Sequence, residues 1–318
     1  MCAIETMKLT KSFGNLKAVA EMDLSVDNEI FGLLGPNGSG KTTTVRMLTT
    51  ILNPTSGDAA ICGHSIIKEP QLVREKISYV PQDMAVDPKL TGRENVIFFA
   101  KLYGVKRPRD IADEVLEKME LGERADDLAR DYSGGMRRRL ELAQALVHDP
   151  EVLFLDEPTI GLDVSGRKKI WEHIINLKDN GMTVFVTTHY MDEADYACDR
   201  VAIIDHGVVV ANDSPEALKA RCYNDIIVIR AEGKYRGNII EGVKFIGQNE
   251  DELRFETTAG EEMGFELARA LSDSGMKVKS FSIRQPTLDD VFLSLISESE
   301  ESGPFDYRRF RTMLRRRG

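Results

Sequence analysis

A chain of 318 residues with a formal charge of −10 is too acidic for nucleic acid to be held by bulk electrostatics, and its 42% hydrophobic and 30% charged residues suit a soluble globular protein of one large domain or two ordinary ones. Its longest apolar runs, such as Val208-Val209-Val210-Ala211, fall far short of the about 18 residues a bilayer span needs, and Met1-Cys2-Ala3-Ile4-Glu5 does not read as a secretory signal. Cys2, Cys62, Cys198 and Cys222 form no C-x-x-C pair, which argues against structural zinc and a disulfide framework and suits a reducing cytoplasm.

Residues 4–30 alternate apolar and polar positions in short pieces around a turn at Gly14-Asn15, a pattern that predicts strands. Phe13 stands beside that turn, where its ring either packs or stacks on a flat base. Ile30-Phe31-Gly32-Leu33-Leu34 reads as a buried strand, and the spacing of Val45, Leu48 and Leu52 predicts a helix after it. Between them runs Gly35-Pro36-Asn37-Gly38-Ser39-Gly40-Lys41-Thr42-Thr43. Its glycines let the backbone bring amide groups round an anion at a helix N-terminus. Lys41 can then reach the β- and γ-phosphates, and the Thr42 hydroxyl can sit on Mg²⁺. The plainer alternative, a glycine turn before an ordinary helix, is disfavoured by the strand–loop–helix context.

Asn53-Pro54-Thr55-Ser56-Gly57-Asp58 is a turn cluster, followed by short apolar runs at 59–62 and 77–80. The second run stops at Pro81, leaving Gln82 at its end either to ligate Mg²⁺ or orient a water, or as a plain turn residue. Residues 91–130 are helical in pattern, with Val96, Phe99, Ala100 and Tyr103 on one face and Ile111, Val115, Leu116 and Met119 on another; this predicts a small helical subdomain between strands, at about 90–140. At Ser133-Gly134-Gly135 a serine and two glycines again precede a helix, one that reads through Leu146. They serve as an N-cap or as a second phosphate-facing helix start.

Val152-Leu153-Phe154-Leu155 is a continuous apolar run ending in Asp156-Glu157-Pro158. Carboxylates at the C-terminal end of a buried parallel strand lie where open α/β sheets bind ligands. Asp156 would hold Mg²⁺, and Glu157 would accept a proton from an attacking water or align it. A turn at 159–163, a helix at about 165–177 and a buried strand at 183–187 follow, ending at His189, which could donate to a γ-phosphate or simply finish a turn. Strands at 199–204 and 207–210 close this part of the chain. Beyond 220, strands at 225–229, 253–257 and 277–283 and helices at about 262–274 and 287–297 are expected; Thr287 and Asp290 stand at weak capping-box spacing. From residue 301 six arginines face two acids, giving a tail of +4 on a body of −14, either a solvated end or a docking element for an acidic surface or lipid headgroups.

In this order the motifs resemble the ATP-binding subunit of ABC transporters over roughly residues 4–220: Walker A at 35–42, Q-loop at Gln82, signature at Tyr132-Ser133-Gly134-Gly135-Met136, Walker B at 152–156 with Glu157, D-loop at Gly161-Leu162-Asp163 and H-loop at His189. The resemblance implies a P-loop NTPase, α/β, with a RecA-like core, an antiparallel β subdomain and the inserted helical subdomain, followed by a small α+β domain at 221–300. It implies two subunits facing head to tail, so that ATP on Lys41 of one meets Ser133, Gly134, Gly135 and Asp163 of the other. Phe13 becomes the ring that stacks on adenine. Tyr132 and Met136 depart from the usual Leu-Ser-Gly-Gly-Gln but leave the phosphate-facing residues in place. Asn28 stands where glycine is common, and asparagine tolerates a left-handed turn. Gln285-Pro286-Thr287-Leu288-Asp289-Asp290-Val291-Phe292-Leu293 is similar to the C-terminal extension of daunorubicin-resistance-type export ATPases.

The expected protein is therefore an ATPase using ATP and Mg²⁺. Gly35 to Thr43 hold the phosphates, Thr42, Gln82 and Asp156 the metal, and Lys41, Gln82, Glu157 and His189 carry the chemistry. Its expected partners are a second ATP-binding subunit, a homodimer ahead of a heterodimer, and a separate transmembrane permease at the cytoplasmic face of the membrane; nucleic acid is not expected. The rival reading is a soluble ABC ATPase that uses dimer closure mechanically.

Overall fold

The computed structural model describes residues 2–300 apart from Met84, 222–224, Lys234, Arg236, 238–240, 258–259 and Gln285, so the expectations for the 301–318 tail lie outside the described residues. The chain divides into two compact units, Met1–Asn212 and Asp213–Gly318.

In the first unit, β1 (Ile4–Phe13), β2 (Leu16–Met22) and β3 (Ser25–Val26) lead into β4 (Ile30–Leu34) and α1 (Lys41–Leu48). Then come β5 (Ser56–Ile61), β6 (His64–Ser65), α2 (Pro70–Lys76) and β7 (Ile77–Val80). The helical insertion is α3 (Gly92–Leu102), α4 (Pro108–Lys118) and α5 (Gly134–Ala145), with two short 3₁₀ turns before α5. After it run β8 (Val152–Asp156), α6 (Val164–Asp179), β9 (Thr183–Thr188), α7 (Met191–Ala197), β10 (Arg200–Asp205) and β11 (Val208–Asp213).

Two sheets result. One is antiparallel, in the order β2-β1-β5-β6, with β3 also paired to β1. The other runs β11-β10-β4-β9-β8-β7 and is parallel from β10 to β7. Every residue of β4, β8 and β9 is buried, which is why these strands read as unbroken apolar runs. Phe31, Phe154 and Phe185 pack with tilted rings at its centre, at 5.3 and 5.5 Å. The register sets Leu34 opposite Thr188 and Asp156 opposite Thr187, so the C-terminal ends of β4, β9 and β8 finish side by side.

Several local expectations change. The turn cluster at 53–58 becomes strand from Ser56, because Ser56 and Asp58 pair with Thr10 and Met7 across a bulge in β1. Gly57 makes this possible: at φ 78° it lies so close to β1 that a Cβ would sit 2.2 Å from the Lys8 carbonyl oxygen. Asn28 is not left-handed; the bend there is held instead by the Asp27 N–H donating to the Glu29 carboxylate at 3.2 Å. The sequence patterns also gave no sign of α2 or α7.

The second unit holds α8 (Pro215–Arg221), β12 (Asp225–Glu232), β13 (Val243–Asn249), β14 (Glu252–Thr257), α9 (Gly260–Asp273), β15 (Lys277–Arg284) and α10 (Leu288–Glu300). Helix α8 packs on α10, so the division precedes it rather than falling at 220. Its antiparallel sheet, β13-β14-β12-β15, buries Ile227, Ile229, Leu253 and Phe255 against Leu267 and Leu271 of α9. Asp290, on α10, takes the Thr287 N–H at 2.9 Å as a capping box requires. The Thr287 hydroxyl, however, donates to the same carboxylate at 2.8 Å instead of accepting from the helix. Arg284 pairs with Asp290 at 2.5 Å, and burial of the acid is offset by these donors, which hold its carboxyl below the usual range.

Candidate active site

The phosphate loop joins β4 to α1 with strain placed on glycine. Gly38 and Gly40 have φ of 84° and 112°, and a Cβ on Gly40 would lie 2.3 Å from the Ala18 carbonyl oxygen of β2. That contact, and the Gly207 N–H donating to the Ser39 carbonyl at 2.9 Å, bind the loop to the neighbouring strands. Among the described residues, helix α1 starts at Lys41 with no side-chain cap and the buried Ser39 hydroxyl has no hydrogen-bond partner. A cradle of uncapped helix start and unpaired hydroxyl fits an oxyanion.

The Lys41 ammonium folds back to donate to the Gly35 and Pro36 carbonyls at 2.7 and 3.1 Å. Burial lowers its pKa, while the carboxylates of Glu157 and Asp156 pull the other way, so a cation and two acids share one enclosed space. Asp156 is 1% exposed. Its Oδ1 accepts from the Thr187 hydroxyl and lies 3.4 Å from the Thr42 hydroxyl. A hydroxyl and a carboxylate beside an anion cradle form the hard oxygen set that Mg²⁺ takes.

Glu157 follows directly at the strand end with φ 48°, a left-handed backbone that costs a non-glycine residue roughly 1–3 kcal/mol. Its N–H donates to the Thr187 carbonyl at 3.0 Å, and its Oε1 lies 3.0 Å from His189 Nδ1. A carboxylate so held, with a histidine on one oxygen, can take a proton from a water facing an anion in the cradle.

The described contacts thus gather Lys41, Thr42, Asp156, Glu157 and His189. With them come Gly35 and Pro36 of the loop, on the Lys41 ammonium, whereas Phe13, Gln82, Ser133, Gly134, Gly135 and Asp163 stand apart from this cluster. Phe13 is 51% exposed at the end of β1, with the Lys11 ammonium 5.2 Å from its ring centre. Gln82 is exposed, two residues past Val80, on the edge strand that pairs with β8. Ser133 caps α5 by accepting from the Met136 N–H at 3.2 Å, and Asp163 caps α6 by accepting from the Gly166 N–H at 2.8 Å. Ser133, Gly134, Gly135, Gly161 and Asp163 line one cleft of about 340 Å³ of their own.

Three residues without a role in the sequence reading matter here. Thr187 bridges Asp156 and the Glu157 N–H (3.2 Å to its hydroxyl), and Arg138 and Glu141 of α5 form a buried pair against the end of β8. A hydroxyl residue ending an apolar strand was the one available signal for Thr187; for the pair, it was opposite charges three apart on a helix.

A family model for ABC transporters matches residues 20–160, and a model for the C-terminal domain of DrrA1-3-like ATP-binding proteins matches residues 214–296. The chain is 40% identical over 296 residues to the daunorubicin resistance ATP-binding protein DrrA3 of Streptomyces coeruleorubidus, covering 91% of this chain and 94% of that one. It is 43% identical over 221 residues to the Nod factor export ATP-binding protein I of Paraburkholderia xenovorans, covering 69% and 73%. Among solved structures it is similar to cbiO1 of Clostridium perfringens, part of the ABC transporter complex cbiONQ, with TM-score 0.65 and 27% identity over 69% of this chain and 91% of that one. It is also similar to the ATP-binding cassette MJ0796, a dimer in a post-hydrolysis state bound to ADP and Pi, with TM-score 0.59 and 27% identity over 66% and 98%.

Proposed function

This chain belongs to the ATP-binding subunits of ABC transporters, of the daunorubicin-resistance type, and we propose that it hydrolyses ATP at two composite sites in a dimer to drive export through a separate membrane permease. The observation that carries this reading is the meeting of Lys41, Thr42, Asp156, Glu157 and His189 where β4, β8 and β9 end together. Gly35 to Thr43 receive the triphosphate, and the half-exposed Phe13 ring stacks on adenine. Thr42 and Asp156, with the Gln82 amide oxygen, would hold Mg²⁺, which supplies charge neutralisation on the phosphates. Glu157 receives the proton of the attacking water, and His189 orients that carboxylate and faces the γ-phosphate.

The separate cleft of Ser133, Gly135 and Asp163 suits a surface offered to nucleotide bound by a second copy, a reading supported by the dimeric relative with ADP and Pi. No helix among the described residues is long and apolar enough to cross a membrane. A separate permease, and with it a place at the cytoplasmic face of the membrane, is supported by the export relatives and by the relative that is part of an ABC transporter complex. Export is supported by the drug-resistance and Nod-factor export relatives. The test is Glu157→Gln: turnover should be abolished while ATP binding persists, and substantial remaining hydrolysis would remove Glu157 from the role of base.

A further inference from the structure

Arg138 and Glu141 lie three residues apart on α5, 2.8 Å from each other, each only 3% exposed. A buried ion pair is a poor source of net stability, because desolvating two charges offsets most of their attraction. What this pair holds is more informative. Arg138 Nε donates to the Pro158 carbonyl at 2.8 Å, and Nη2 donates to those of Asp156 and Glu157 at 3.3 and 3.4 Å. Its Nη1 donates to the Pro81 carbonyl at 2.9 Å as well as to Glu141 Oε2. Glu141 uses its other oxygen to accept from the Ala85 N–H at 2.7 Å. One guanidinium therefore grips three successive carbonyls around the left-handed Glu157 and the residue before Gln82, while its counter-ion grips the other end of the same loop. Only a planar fork with five donors can serve so many acceptors; a lysine ammonium presents three donors from one nitrogen.

We propose that Arg138 and Glu141 are a positioning unit that fixes the Glu157 backbone and couples it to Pro81 and Ala85, so that a shift of either moves the carboxylate. A left-handed glutamate persists only where its surroundings over-determine it, and Arg138 supplies three of the bonds that do so. The kinetic consequence rests on Glu157 being the base proposed above; the coupling itself does not.

Two variants of the full chain test this. Arg138→Lys keeps the charge beside Glu141 but loses the fork. Its KM for ATP should stay within about twofold while kcat falls about tenfold or more, as displacement of a catalytic group predicts. Glu141→Gln retains an acceptor for Ala85 but leaves Arg138 without its counter-charge. Hydrogen exchange at the Glu157 and Thr159 amides should then rise, although Glu141 bonds to neither. Where Glu157→Gln has abolished turnover, the proposal is overturned if Arg138→Lys keeps kcat within about twofold; whatever the base, it is overturned if Glu141→Gln changes exchange at Ala85 alone. It is equally overturned if exchange rises uniformly across the β7–β9 strands in step with a lower unfolding midpoint, which is the signature of mere structural support. Should Arg138→Lys fail to fold, the exchange pattern of Glu141→Gln decides. Hydrolysis surviving in Glu157→Gln would remove the base assignment while leaving the exchange coupling intact.

Discussion

At the scale of single residues, the site places each charged group where another group compensates it. Asp156 and Glu157 lie beside Lys41, and Glu157 is braced by Thr187, His189 and Arg138. Glu193 on α7 is the instructive contrast. It is 6% exposed, its Oε2 accepts from the Thr159 hydroxyl at 2.6 Å, and burial still pushes its carboxyl above the usual range. As pH rises, the unfolded chain gives up this proton first. The contribution to stability is therefore whole below the unfolded pKa and is lost as pH climbs through the folded one. Glutamine would keep the acceptor for Thr159 without the charge. The unfolding midpoint of Glu193→Gln should gain on the parent as pH rises from about 4 to about 7; parallel midpoint curves for the two proteins would show that the buried charge is not the cause. The two adjacent acids and His189 were legible in the sequence because each follows a continuous apolar strand. Thr187, Arg138 and Glu141 were not, because their partners are distant in the chain.

At the scale of elements, helix starts carry much of the local specification. Thr91 accepts from the Glu94 N–H at 3.1 Å and Glu94 accepts from the Thr91 N–H at 2.9 Å, a complete capping box that fixes the start of α3. Thr91→Ala should cost about 1 kcal/mol, read as a fall of about 2–4 °C in the unfolding midpoint; an unchanged midpoint would mean that packing against α4 and α5 alone sets that helix. Helix α2 was invisible in the sequence because only Val73 of its seven residues is buried, leaving no apolar period to read. Strand β13 has no buried residue and sits at a sheet edge, so its alternation is weak. The strand at Ser56 was masked by turn-forming residues whose conformation is set by β1.

At the scale of the whole molecule, an acidic body ends in six arginines after residue 301. A polybasic end suits an anionic headgroup layer or an acidic partner surface. Deleting residues 304–318 should lower recovery of the protein with membranes from its host while leaving ATPase activity in place; unchanged recovery would remove the tail from that role. The sequence by itself determined the phosphate loop, the buried strands and the order of the motifs, because glycine turns, apolar runs and strand-end carboxylates are local patterns. Only the tertiary structure decided that Thr187 faces Asp156 and that Arg138 reaches the carbonyls of residues 156–158. Those meetings depend on strand register and helix packing between residues far apart in the chain, and neither leaves a mark in the local sequence.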